Sequence, residues 1–407
     1  MPKGSKKSGG AGKNIARTVR KTIDSVNFDG SLLDSLKVKT LVKLIFASLA
    51  LFSFIFLIVS RADLSPSAIV SGVRDKKILS QADGEGYPVE VEGNRSIAIE
   101  SISNGTAVLT DTNYMVFNDK GQEVVSYAHY MASPAMKTAG RYTLIYDEGN
   151  MSYSLKTLSS SILTKKSENS ILAADLSRTG RFVLVTNHDT AFSEVSVYSK
   201  SGDLLHQWRS SNYHITAAAI SESGSHIAMC GVTTENGEMK SCVIIQKVGG
   251  DKNLQEYTFG DTLMIAVRFS DSDNVTAVGD NICVQLGVNS EKQTKYDYSG
   301  STLTGFDWDS NGNIALVISQ YTDGRNCDIA VLNKKGEKII GVSTQLTSPC
   351  VELTSSRINL VAESRFYSYN YDGRLVEEAE VPADSQESVT SGGKTLVRGV
   401  TMITEVE

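Results

Sequence analysis

The sequence predicts an all-β domain, a seven- or eight-bladed β-propeller, carried on one N-terminal transmembrane α-helix. Three observations predict it. A single charge-free apolar run, Leu44 to Val59, stands near the start of a 407-residue chain. Beyond Ser65 no second run of membrane length occurs, and short Val/Ile/Tyr/Thr stretches alternate with Gly, Asn, Asp and Ser turns, the pattern of strands and hairpins. That pattern recurs with a period of about 40 residues.

Composition narrows the class first. With 41% hydrophobic residues and only 6 Pro, the chain can bury a sizeable core, which excludes wholesale disorder. Lys+Arg 40 against Asp+Glu 46 gives a net charge of −6, which excludes a nucleic-acid binder as a whole. The average hides an asymmetry: Met1 to Lys43 carry ten Lys/Arg and three Asp, net +7, which leaves −13 for the remainder.

The run LIFASLALFSFIFLIV divides the two parts. At a 1.5 Å rise its sixteen residues span about 24 Å, short of a hydrocarbon core about 30 Å thick. Leu41, Val42 and Ser60 extend it, and Lys43 and Arg61 can snorkel to the two interfaces. A buried core helix would need a polar face, and only Ser48 and Ser53 are polar. A cleaved signal peptide is the stronger rival, with Ser60-Arg61-Ala62 as a peptidase site. The basic region before the run is long for a signal peptide, and the run exceeds the usual h-region, so the expectation is an uncleaved anchor. The excess of basic residues before the run places the N-terminus in the cytoplasm and the domain outside it.

The expected organisation is a basic tail and juxtamembrane segment over 1–40, a transmembrane helix over 41–60, a linker over 61–85 and the propeller over 86–407. MPKGSKKSGGAGK reads as a solvated tail attracted to anionic head groups. From Ile15 to Val42, apolar residues at helical spacing fit either a surface amphipathic stretch or a half-ordered linker.

Four segments share an apolar residue, Ser or Asp, a polar turn and an apolar strand: LSRTGRFVLV from Leu176, ISESGSHIAM from Ile220, FSDSDNVTAV from Phe269 and WDSNGNIALV from Trp308. Their starts lie 44, 49 and 39 residues apart. Weaker copies begin at Ile102, Met136 and Leu353, giving seven units. A second signature, as in VFNDKGQEVV, ends in Gly121, Gly202, Gly336 or Gly373, residues that supply the positive φ of a tight hairpin. Each unit thus holds four strands. One such sheet cannot bury both faces alone, whereas sheets arranged radially bury each face against a neighbour. Val389 to Val406 is half a unit, expected to share a blade with strands near Tyr87 to Ile102 and close the ring. A two-sheet sandwich would not require the period.

The Ser-x-x-Gly-x-x-apolar units, with Trp308-Asp309 inside one, resemble the WD-repeat and PQQ-like propeller superfamilies. More closely, the anchor, YPVE at Tyr87 to Glu90, VLTDTNYMVFNDKG from Val108 and LIYDEGNMSYSL from Leu144 resemble a bacterial membrane-anchored family, domain-of-unknown-function family 5711. The resemblance implies a fold and an address, and brings no catalytic residues and no cofactor.

Chemistry-bearing residues are sparse. Ala173, Asp175, Thr179 and Gly180 fit one copy of a quinoprotein docking motif, but Phe182 and Val183 follow where Trp is required. Asp307, Asp309 and Asn311, before Gly312, match the first half of a calcium loop; Ile318 stands where its closing Glu belongs, and blade turns favour Asp, Asn and Gly in any case. The five His show no zinc spacing, and no GxSxG marks a hydrolase. Cys230 and Cys242 flank GVTTENGEMKS, whose midpoint is Asn236; a hairpin symmetric about it sets the two thiols opposite, within reach of a disulfide, with free buried thiols as the alternative.

These readings converge on a non-enzymatic, single-pass envelope protein that binds a protein partner as scaffold or sensor. The alternative is a propeller that binds or processes a sugar, peptide or quinone in its channel.

Overall fold

The second strand of each sheet explains the architecture. Phe182–Thr186 is buried along its whole length, with Phe182 and Leu184 packed among Tyr142, Leu144 and Tyr153 on one side and Val183 and Val185 among Ile215, Ile227 and Met229 on the other. A strand buried on both faces must be apolar throughout, and each such side chain contributes about 1.5–3 kcal/mol. Ile314–Ser319 behaves in the same way between its own two neighbours. This is the packing of sheets standing face to face around an axis.

The computed structural model of the chain describes residues 48–49, 66–81, 84–103 and 105–406. The expected tail, and all of Leu44 to Val59 except 48–49, lie outside the described residues. No helix among the described residues is long and apolar enough to cross a membrane. The unit Arg61–Glu407 is an eight-bladed β-propeller. Blades 1 to 7 are antiparallel meanders of four consecutive strands, over 96–128, 134–166, 171–210, 214–260, 264–297, 302–343 and 350–380. The seven sequence units fall one in each.

Blade 8 closes the ring. Its three inner strands are Glu387–Ser391, Lys394–Arg398 and Met402–Glu405, and its outermost strand comes from the far end of the domain: Val89 pairs with Ile403 and Glu90 with Met402. The expected closure is present, with the boundary shifted, since Ser96–Ile102 already opens blade 1. Ser96 Oγ donates to Gly399 O at 2.5 Å, and Arg398 Nη1 donates to Ser96 O at 3.0 Å, so both sides of the seam are held.

Two kinds of connection separate the ends of the ring. At one end, here the turn end, strands one and two and strands three and four of each blade are joined, mostly by short turns. Asn118, Asn333 and Asn370 each accept two backbone N–H groups of their own turn at 2.9–3.1 Å, and Ser199 does so at 3.1 and 3.2 Å. Gly121, Gly202, Gly336 and Gly373 then take φ of 71–83°. The opposite, loop end holds the remaining connections, of irregular length.

The expected linker contains a helix, α1 (Pro66–Gln81), with Pro at its first turn, where a missing N–H costs nothing. Asp75 and Leu79, one turn apart, face the ring. Asp75 Oδ2 accepts from Arg141 Nη2 at 2.6 Å, and Leu79 packs against Ile102, Val116 and Leu158. Both contacts lie at the turn end of blades 1 and 2, so the chain enters the domain there.

Candidate functional site

The innermost strands line the axis, and at five blade junctions a carboxylate on one inner strand accepts a backbone N–H from the next. Glu100 accepts from Thr138 N at 2.9 Å, Asp175 from Ile220 N at 2.8 Å and Asp307 from Leu353 N at 2.8 Å. Glu387 accepts from Ile99 N at 3.2 Å, and Glu352 from Thr390 N. The free edge of an inner strand leaves a row of N–H groups unpaired toward the axis, and an Asp or Glu on the inner strand of the preceding blade reaches one of them. Lys137 and Arg268, both exposed, add positive charge to the ring.

Burial raises the pKa of Glu100 and Asp175, with Lys137 pulling both back down. Asp307 is pushed up to about 6, again mainly by burial, against the hydrogen bond from Leu353 and the charge of Arg268. The ring is therefore a set of hydrogen-bonded struts between blades.

The calcium reading does not survive. Asp307 reaches blade 7, whereas Asp309 Oδ1 accepts from Asn311 N and Asn313 N, each at 2.8 Å, and its Oδ2 from Asn313 Nδ2 at 2.8 Å. The Asn311 amide nitrogen donates to Asp309 Oδ2 at 3.4 Å. The three residues diverge, and what resembled a cation loop is a self-satisfied turn. Among the described residues no group of three His, Cys, Asp or Glu is arranged to hold a metal.

The expected cross-strand disulfide is also absent. Asn236 and Gly237, at φ 54° and 83°, are the two central residues of the turn, so Gly231 pairs with Cys242 and Cys230 with Val243. That one-residue difference turns the two cysteines to opposite faces, Cys230 among Ala228, Val243 and Tyr257 and Cys242 among Met229, Ile244 and Trp208. Both thiols are free and buried. The Asn-Gly pair is the signal that would have given the register.

The loop end carries what the sequence reading missed. Large side chains stand exposed in its connections, Tyr130, fully solvated at 101%, Phe192 and Tyr321, and Met239 does so on the strand just after the Asn236-Gly237 turn. Phe192 stacks on His214 with centroids 4.4 Å apart, beside a cavity of about 250 Å³ lined by Asp189, Thr190, Ala191, Phe192 and Ser211. Arg325 lies over the Tyr321 ring at 4.4 Å. Between these aromatics the loops bear exposed carboxylates, among them Asp189, Asp261, Asp280, Asp323 and Asp384. At the turn end acids and bases alternate within single turns, as in Asp119-Lys120 and Asp372-Gly373-Arg374.

A sequence profile described as "Family of unknown function (DUF5711)" matches residues 85–406. The chain belongs to this family. No curated protein matches it. Among solved structures, BamB from Moraxella catarrhalis is similar at 10% identity and a TM-score of 0.50, over 79% of this chain and 100% of that one. A crystal structure of the eukaryotic initiation factor is similar at 9% identity and a TM-score of 0.53, over 80% and 90% of the two chains. At such identities the likeness shows the propeller fold of this DUF5711 member and nothing of its role.

Proposed function

We propose that this DUF5711 propeller is a membrane-tethered, non-enzymatic scaffold or sensor of the cell envelope that holds a protein partner on its loop end. The observation that carries the reading is the placement of Tyr130, Phe192, Met239 and Tyr321, exposed among carboxylates, at the end of the ring opposite α1. Exposed aromatics and Met are the side chains that dominate protein interfaces, and α1 packs at the other end of the ring. The tether rests on the apolar run Leu44 to Val59 and its basic N-terminal flank, with the N-terminus cytoplasmic and the propeller outside. Against an enzymatic reading stand the ring carboxylates, which are engaged between blades.

Cross-linking of the tagged full-length protein in its native cells tests this. A discrete adduct should form with the parent and be lost in the Tyr130→Ala/Phe192→Ala/Tyr321→Ala variant, which keeps the core intact. An adduct unaffected by these changes would move the interface elsewhere.

The second reading, a small ligand in the channel, draws on Lys137 and Arg268, exposed beside Glu100 and Asp307. A specific sugar, peptide or quinone at 100 times its Kd would add about 2.7 kcal/mol of stability, so a melting screen against a metabolite library separates the two.

A further inference from the structure

We infer that the outward face of α1 is a seat for an anionic lipid surface. Asp75 is the only acid on the helix, and it is buried against Arg141 at 2.6 Å, so it adds no negative charge to the exposed side. What remains outward is Arg74, Lys76 and Lys77, all exposed, with Val73 at 67% exposure between the basic residues. The inward residues Asp75 and Leu79 fix the rotation of the helix, so the basic stripe is held away from the ring by packing. The loop end, with its exposed carboxylates, would be repelled by the same surface.

The length of chain supports the same occupant. Only residues 60–65 separate the apolar run from Pro66, and six residues reach at most about 20 Å, so a tether through Leu44 to Val59 delivers α1 to the head groups. In that respect the inference rests on the tether proposed above. Each Lys or Arg near an anionic surface contributes about 1 kcal/mol, so the three together correspond to a gain in affinity of about a hundredfold at low salt.

The test uses residues 61–407, which lack the apolar run but keep α1 and every blade, the ring being closed between Val89 and Ile403. Sedimentation with vesicles of phosphatidylcholine, alone or with 30% phosphatidylglycerol at roughly that fraction, should show binding only to the anionic vesicles. Binding should vanish in high salt and weaken at least tenfold in Arg74→Gln/Lys76→Gln/Lys77→Gln, whose melting temperature should be unchanged. Equal binding to both vesicles, no binding to either, or a variant that binds like the parent would overturn the seat. Competition by millimolar free glycerol phosphate would also overturn it, since it would mark a discrete phosphate pocket. The tether is judged separately, by carbonate extraction of the full chain from membranes, so the two can fail independently.

Discussion

Cys230 and Cys242 stand on adjoining strands of one hairpin and point to opposite faces of the sheet, Cys230 toward blade 5 and Cys242 toward blade 3. Burial pushes both thiols up, Cys242 to about 12, so neither has appreciable thiolate at neutral pH. The oxidised, secreted-type staple that their spacing suggests is excluded by register alone.

Thiol counting follows from this. The native protein should show neither Cys230 nor Cys242 reacting with maleimide over hours, and the unfolded protein should show all five cysteines free without a reductant. A mobility shift on reduction, traced to a Cys230–Cys242 peptide, would contradict the register.

The seam between blades 1 and 8 should be the most sensitive polar point in the fold. The Arg398 side chain is 8% exposed and binds Glu387 at 2.6 Å and Ser96 O at 3.0 Å. Arg398→Ala removes the buried guanidinium from Glu387 and from Ser96 O, leaving each only its weaker or remaining contact across the seam, and a loss of about 3 kcal/mol is expected in urea unfolding.

Asp307 gives a pH signature with a definite sign. Its folded-state pKa is raised to about 6, above the ordinary carboxylate value, so the folded protein holds this proton more tightly than the unfolded one. The contribution is present below the unfolded value and is lost as pH rises from about 4 through 6. Asp307→Asn, which keeps an acceptor for Leu353 N, should therefore stabilise by on the order of 2–3 kcal/mol at pH 7 and by nothing below about pH 3. Melting curves of the two proteins across that range decide it.

Two glycines with similar backbones should behave differently. Gly149 and Gly312 have φ of 77° and 83°, but a Cβ at Gly149 meets nothing within 4 Å, whereas at Gly312 it would lie 2.1 Å from Ser270 O in blade 5. Gly149→Ala should cost about 1 kcal/mol, from left-handed strain alone. Gly312→Ala adds a backbone clash and should cost about 3 kcal/mol or more by the same unfolding measurement.

Much of the fold was legible because propeller geometry is written locally. Asn333 and Gly336 close a turn that needs only residues 333–337, and Ser221 caps the turn of its own blade by accepting from Ser225 N at 3.1 Å and His226 N at 3.0 Å. Such turns recur with the blade, so their period announces the ring. The candidate site was far less legible. Asp309 looked like a cation ligand because a turn-closing carboxylate and a calcium-binding one have the same local sequence. The side chains at the loop end share no pattern at all. α1 was missed because only its packing against Leu158 and Arg141 makes a helix of a short, weakly amphipathic stretch.

By itself the sequence determined that this protein is a ring of four-stranded sheets, that the half-unit at Val389 to Val406 is completed from the strands near Tyr87 to Ile102, and that one apolar run precedes the domain. Only the tertiary structure decided that Val89–Glu90 completes an eighth blade, which thiol faces which neighbour, and which connections gather at one end. The reason is the range of the forces. Turn hydrogen bonds and strand alternation act over four or five residues, whereas a blade's neighbours and the sharing of charge between the two ends are set by packing across hundreds of positions.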